Sequence, residues 1–182
     1  VRPQRRTRSE FSYAKGKQTM TIAKSRLLEV AQVGVIAGLA GGLAEVAWIS
    51  IYGAISGVSV DIVAEEITRS IAPHASSSSV WVGILIHLTL AVSLGVAVAF
   101  AIRLLLLGYG RVYAEFSLVI LTLATVWGVN FLLVLPYLNP RFVDLLPYSV
   151  TLASKLLFGL VAATIFRIKR MRLVRVVRHL AV

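Results

Sequence analysis

The sign of the charge alternates with four apolar runs along this chain, and that alternation restricts its folding more than any other feature. The runs lie near residues 31–56, 80–107, 114–138 and 148–166, and each supplies the ~20 residues that a helix needs to cross a hydrocarbon layer. Bases gather before the first run (Arg2, Arg5, Arg6, Arg8, Lys15, Lys17, Lys24, Arg26), between the second and third (Arg103, Arg111) and after the fourth (Arg167, Lys169, Arg170, Arg172, Arg175, Arg178). The other two links hold only Arg69 and Arg141 as bases, beside Asp61, Glu65, Glu66 and Asp144. By the positive-inside rule both termini belong in the cytoplasm and these two links outside. The fold class expected is all-α: an integral membrane four-helix bundle.

Composition agrees. With 58% hydrophobic residues and a mean hydropathy of +0.84, the chain exceeds the ~45–50% apolar share of soluble domains. One membrane domain over residues 27–167 is expected, with a basic cytoplasmic arm at 1–26, helical from Thr21 onward, and a basic amphipathic tail at 168–182. The net charge of +11 sits mainly in the two tails and the inner link. Topology and attraction to anionic lipid headgroups account for it, so nucleic acid is not expected as a partner. The absence of cysteine excludes a disulfide framework, a thiolate metal site and a cysteine nucleophile. The basic, Ser/Thr-rich first ~25 residues raise a targeting peptide, but the apolar run after them is too long for a signal core, and a retained first span is expected.

The links carry pattern of their own. Val60, Val63, Ile67 and Ile71 recur at helical spacing while Asp61, Glu65, Glu66 and Arg69 take other faces, so a short amphipathic helix with a solvated acidic face is expected on the outer surface, stopped by Pro73 and followed by a flexible lead at the serines 76–79. The second outer link holds three prolines, Pro136, Pro140 and Pro147, with apolar residues between them. That favours a compact turn at the interface or a shallow re-entrant one. Tyr52, Trp81, Tyr137, Phe142 and Tyr148 would form the outer aromatic belt. Beyond Arg167, Ile168, Met171, Val174 and Val177 alternate with bases at helical spacing, which suits a helix lying on the inner membrane surface.

Each span bears one strongly polar residue away from its ends: Glu45, His87, Asn130 and Lys155. Counted at ~1.5 Å per residue from the inner edges, Glu45 and Lys155 lie about 18 Å up, Asn130 about 21 Å and His87 about 24 Å, a single layer. Glu45 extends a row of Gly34, Gly38 and Gly42; His87 heads Ala91 and Gly95; Lys155 heads Gly159. Rows of small residues are where membrane helices meet, so these polar groups should face one another inside the bundle. Three roles suit such a layer. It sets helix register through a Glu45–Lys155 salt bridge with His87 and Asn130 hydrogen-bonded around it, it conducts protons or a small solute through Glu45 and His87, or it holds haem, a quinone or a pigment at His87. A catalytic or metal site is not indicated, because one membrane histidine beside a lysine suits no cation, Asp61, Glu65, Glu66 and His74 have the spacing of a solvated helix face, and no Walker loop, dinucleotide glycine run or HExxH occurs.

The glycine-rich first span (GVIAGLAGGLAEVAW), the second opening on Ile-His (IHLTLAVSLGVAVAFAI), Trp127-Gly128 running toward Pro136 in the third and LLFGLVAATIF in the fourth together resemble small four-span bacterial inner-membrane proteins of the YagU-like and related families. The resemblance covers residues 32–167 and implies that fold and that location, and no chemistry. It departs at Lys155, where such proteins often carry a second histidine, so a shared ligand site is not implied.

The function expected from these features is that of a non-catalytic accessory or structural subunit of a larger membrane-embedded complex, a respiratory or other redox assembly being the parent in view. Other membrane subunits would dock on the glycine surface of the first span, and no cofactor is required. The alternatives are a small transporter or proton-conducting channel, and a subunit binding haem, quinone or pigment at His87.

Overall fold

A computed structural model of the protein describes residues 8–72, 80–105 and 112–180, with side chains over 24–72, 80–105 and 113–169. Arg2, Arg5, Arg6, Pro73, His74, the serines at 76–79, Arg111 and the side chains of the basic tail from Arg170 onward lie outside the described residues. Within them the only regular structure is helical: α1 (Arg8–Ser56), α2 (Val60–Ile71), α3 (Val80–Leu105), α4 (Val112–Gly128) with a π-helical turn at Val129–Val134, α5 (Leu135–Leu138), α6 (Pro140–Leu145) and α7 (Tyr148–Leu180). Four stretches are long and apolar enough to cross a membrane: Lys24–Ser56, Val80–Leu105, Tyr113–Leu138 and Tyr148–Lys169. The first helix starts earlier than its sequence suggests, at Arg8 rather than near Thr21.

Local chemistry accounts for the breaks. Gly57 ends α1 with φ +78°, a left-handed geometry natural to glycine, and its N–H donates to the Gly53 carbonyl at 2.9 Å. Asn139 caps α6, its Oδ1 accepting from the Phe142 N–H at 3.2 Å, with Pro140 in the first turn where no N–H is needed. Pro136 lacks the N–H that an unbroken α-helix requires, and its ring would press on the carbonyl one turn back. The helix widens before it: the Leu135 N–H reaches back to the Asn130 carbonyl, a π-type bond.

The long helices pack in the order α3, α1, α7, α4, while α3 and α4 scarcely meet. Glycine sets the first contact. A Cβ on Gly34 would lie 2.6 Å from Val96 Cα, one on Gly38 would lie 2.7 Å from Val92 Cα, and one on Gly95 would overlap the backbone of Gly34 and Gly38. The backbones of α1 and α3 therefore touch, a close approach that small residues permit and that gains dispersion contact. Gly42 abuts the Ala91 methyl, Gly41 receives the Phe158 ring of α7, and Gly159 receives Ile120 and Leu123 of α4. Ala37, Val98, Val119, Leu123, Phe158 and Ala162 form the core at the end of the bundle that holds the termini.

The opposite end is built differently. Val63, Phe131, Phe142 and Leu146 make a second, smaller core, with Trp127 packed against it. Phe142 is thus a buried residue and not a member of an aromatic belt, whereas Trp81 and Tyr137 are broadly exposed. The amphipathic pattern of α2 does form a helix, but it sits against α3 rather than free on a surface: a Cβ on Gly83 would overlap the Ala64 carbonyl. Its acidic face is split. Asp61 is exposed, while Glu66 is buried, its Oε1 accepting from Arg69 at 2.7 Å and its Oε2 from Asn139 Nδ2 at 3.0 Å. Asn139 Nδ2 also reaches the Glu66 carbonyl at 3.0 Å and Ser70 Oγ at 3.1 Å. This knot ties α2 to the link that leads into α7.

Candidate functional site

Three of the four residues in the expected polar layer come together. Glu45, on α1 one turn beyond the Gly38–Gly42 contact, is 2% exposed. Lys155 Nζ lies 2.8 Å from its Oε1 and 2.9 Å from its Oε2, and Ser154 Oγ donates to Oε1 at 3.2 Å. His87 comes from α3, with Nε2 3.6 Å from Glu45 Oε2 and 3.4 Å from the Gly42 carbonyl oxygen. A proton on Nε2 would let the ring donate to the Gly42 carbonyl, with Nδ1 then the acceptor. The Lys155 ammonium also stands 5.7 Å from the centre of the Phe158 ring. Adjacent residues Ser154 and Lys155 bind the same carboxylate, so α7 grips α1 at two successive positions.

Asn130 does not join this group. It sits in the π-helical turn, exposed, and among the described residues no hydrogen bond links its side chain to Glu45, His87 or Lys155. The expectation that Asn130 is hydrogen-bonded to the salt bridge is therefore corrected: it stands apart, on the wall of a cavity.

That cavity is the main feature of the α2 end, with a volume of about 410 Å³. Glu45, His87, Ser154, Lys155 and Asn130 supply polar groups to it, and Ile49, Ile84, Phe131 and Leu135 are among its apolar walls. Val63, Ile67 and Phe142 close it from α2 and α6. Several lining residues are also exposed, namely Leu90 of α3, Val134 and Leu138 of the third long stretch, and Ile71 of α2. The cavity thus opens sideways, on the side where α3 and α4 scarcely meet.

Sequence reasoning passed over several contributors. Ser154 is a small hydroxyl that only its place beside Lys155 makes a ligand of Glu45. Thr151 accepts the Trp127 indole N–H at 3.0 Å, and the Trp48 indole N–H donates to the Val150 carbonyl at 3.1 Å, so both tryptophans fasten the start of α7. Glu66 and Asn139 stand 73 residues apart, and no local pattern links them.

Among the described residues no three His, Cys, Asp or Glu side chains gather as a metal site. Axial ligation of haem through His87 Nε2 would require that nitrogen to leave both Gly42 and Glu45. Comparison with protein-family models, curated proteins and solved structures finds no match to this chain. The fold and the site together define an all-helical protein with four stretches suited to crossing a membrane and a laterally open, polar-based cavity between them.

Proposed function

We propose that the chain is an integral membrane protein that binds an amphiphilic molecule, taken from the lipid phase through the gap between α3 and α4, and that it catalyses no reaction of its own. The cavity carries this reading. Its volume falls within the ~300–1,000 Å³ of small-molecule sites, and its makeup matches them: apolar walls with a few polar groups at one side. A head near Glu45, His87 and Lys155 would leave its tail to pass out beside Leu90 and Val134. The Glu45 carboxylate, held by Lys155 and Ser154, is poorly placed to serve as a base.

An accessory role in a larger assembly would need a docking surface other than Gly34, Gly38 and Gly42, which are occupied by α3 of the same chain. A conducting role would need polar lining along the bundle, and the core at the terminal end is apolar. For location, the charge pattern supports termini on the cytoplasmic side, and the resemblance to YagU-like proteins supports a bacterial inner membrane. Attraction of the two basic tails to anionic headgroups fits the same orientation.

The binding role is tested with a photoactivatable acyl amphiphile added to the protein in lipid nanodiscs. Crosslinks should concentrate at Leu90, Val134 and Leu138, be competed by unlabelled amphiphile, and vanish when Leu90→Trp and Val134→Trp fill the gap. Crosslinks spread evenly over Leu43, Leu85 and Leu160, which face outward away from the cavity, would sink the reading. Orientation is tested separately on the cysteine-free chain: Asp144→Cys should react with an impermeant thiol reagent from outside intact cells, and Lys24→Cys should not.

A further inference from the structure

The charges on the cavity wall cancel. Both oxygens of Glu45 lie within 2.9 Å of Lys155 Nζ, and one of them also accepts from Ser154. With His87 neutral, no full charge is left over for a ligand. Hydrogen-bonding capacity does remain. A lysine ammonium has three N–H donors and Glu45 takes at most two, while the exposed Asn130 amide also lines the cavity and makes no hydrogen bond to Glu45, His87 or Lys155.

A charged head would meet this wall at a cost. A carboxylate could reach the spare Lys155 donor only beside the Glu45 carboxylate, which is 2% exposed and already neutralises that ammonium, so its own charge would stay uncompensated. An ammonium would have to compete for oxygens already occupied. In either case an ion leaves water for a low-dielectric site without a free counter-charge. An uncharged head bearing a carbonyl or hydroxyl oxygen meets no such penalty, because it needs only the spare donors.

Resting on the binding role proposed above, we propose that the cavity selects an amphiphile with an uncharged, oxygen-bearing head, and that the Glu45–Lys155 pair sets this preference by neutralising itself. Two sources share that chemistry: the ring carbonyl of a quinone and the ester or hydroxyl of an acylglycerol. Lys155 and Asn130 are the residues that donate to the head. Glu45 acts through Lys155, as a positioning residue.

The experiment uses the whole chain in lipid nanodiscs and four photoactivatable probes with the same tail, whose heads are a glyceryl ester, a benzoquinone, a carboxylate and a primary amine. Wild-type protein should be labelled at Leu90, Val134 and Leu138 by one or both neutral probes about tenfold more than by either charged probe, a tenfold ratio being the effect of one lost charged hydrogen bond. The stronger of the two neutral probes identifies the source. Glu45→Gln leaves the Lys155 ammonium without its partner and should move the preference to the carboxylate probe. The double variant Glu45→Gln/Lys155→Met again has no net charge and should return to the neutral probes, with weaker labelling. Asn130→Leu should reduce neutral-probe labelling with no gain for charged ones. Equal labelling of wild type by charged and neutral heads would overturn the proposal, as would an unchanged preference in Glu45→Gln. Where Glu45→Gln does not fold, the wild-type ratio and the double variant still decide. If no probe labels the cavity in wild type, it is the binding role itself that fails.

Discussion

The two ends of the bundle solve the same problem in opposite ways. At the terminal end, Gly34, Gly38 and Gly95 bring α1 and α3 into backbone contact, and alanines with Val119, Leu123 and Phe158 fill what remains. At the α2 end, Glu45, His87 and Lys155 link α1, α3 and α7 through polar side chains. Close packing leaves no room for a ligand. Polar bridging leaves a cavity, and α2 and α6 then close its top while the α3–α4 side stays open. The difference shows that small residues and buried ion pairs, both read as glue for membrane helices, produce interiors of opposite kind.

The largest effects should come from the open end. Glu45→Gln or Lys155→Met alone leaves a buried charge without its partner and should cost about 3–5 kcal/mol, whereas replacing both should cost clearly less. Reversible unfolding in mixed micelles measures this. Additive losses from the two single changes would show that the pair is not coupled, and the contrast between the ends would fail.

At the sealed end Gly38→Leu should cost about 1–3 kcal/mol or more, because the added atoms meet α3 backbone, which cannot rotate away. Gly128→Leu serves as the control. Nothing lies within 4 Å of a Cβ on Gly128, so that change should stay within about 0.5 kcal/mol. Equal losses at the two positions would argue that helix propensity, and not contact, explains the glycine rows.

A smaller and more local effect is expected at the closure of the cavity. Asn139→Ala removes the bonds to Glu66 and the cap on α6, and should cost about 1–3 kcal/mol for the buried groups left unsatisfied. Amide hydrogen exchange should rise over Val60–Ile71 and Pro140–Leu145 and stay unchanged across the glycine contact of α1 and α3. A uniform rise over both ends would mean that the bundle opens as one unit and that its ends are not separable.

The Glu45–Lys155 pair was readable in advance because each is the lone charge of an apolar run, at similar depth and on the same side as small residues. Physical cost leaves such groups few places to go. Asn130 has the same depth, but no row of small residues on its own helix marks its facing, and depth alone does not bring a side chain into contact. Glu66 was assigned to a solvated face on periodicity alone. Burial came from Asn139, a partner supplied by a distant link, and periodicity carries no information about such a partner. The glycine rows announced close contact without saying with what; that α3 and not another subunit fills them depends on which helices meet.

What the sequence determined by itself is what each segment must do alone: the number and length of helices able to cross a membrane, their interruption at Gly57 and in the proline-bearing link before Tyr148, and the need for every buried charge to find company. These follow from backbone hydrogen bonding, glycine and proline geometry and the cost of an unpaired ion, all of which are local. The tertiary structure alone decided that α3 and α4 scarcely meet, that α2 folds over the end they leave open, and that Ser154, Asn130 and Phe142 line one cavity. Those outcomes depend on how four helices divide a limited set of contacts, and close contact at one end is what leaves the cavity at the other.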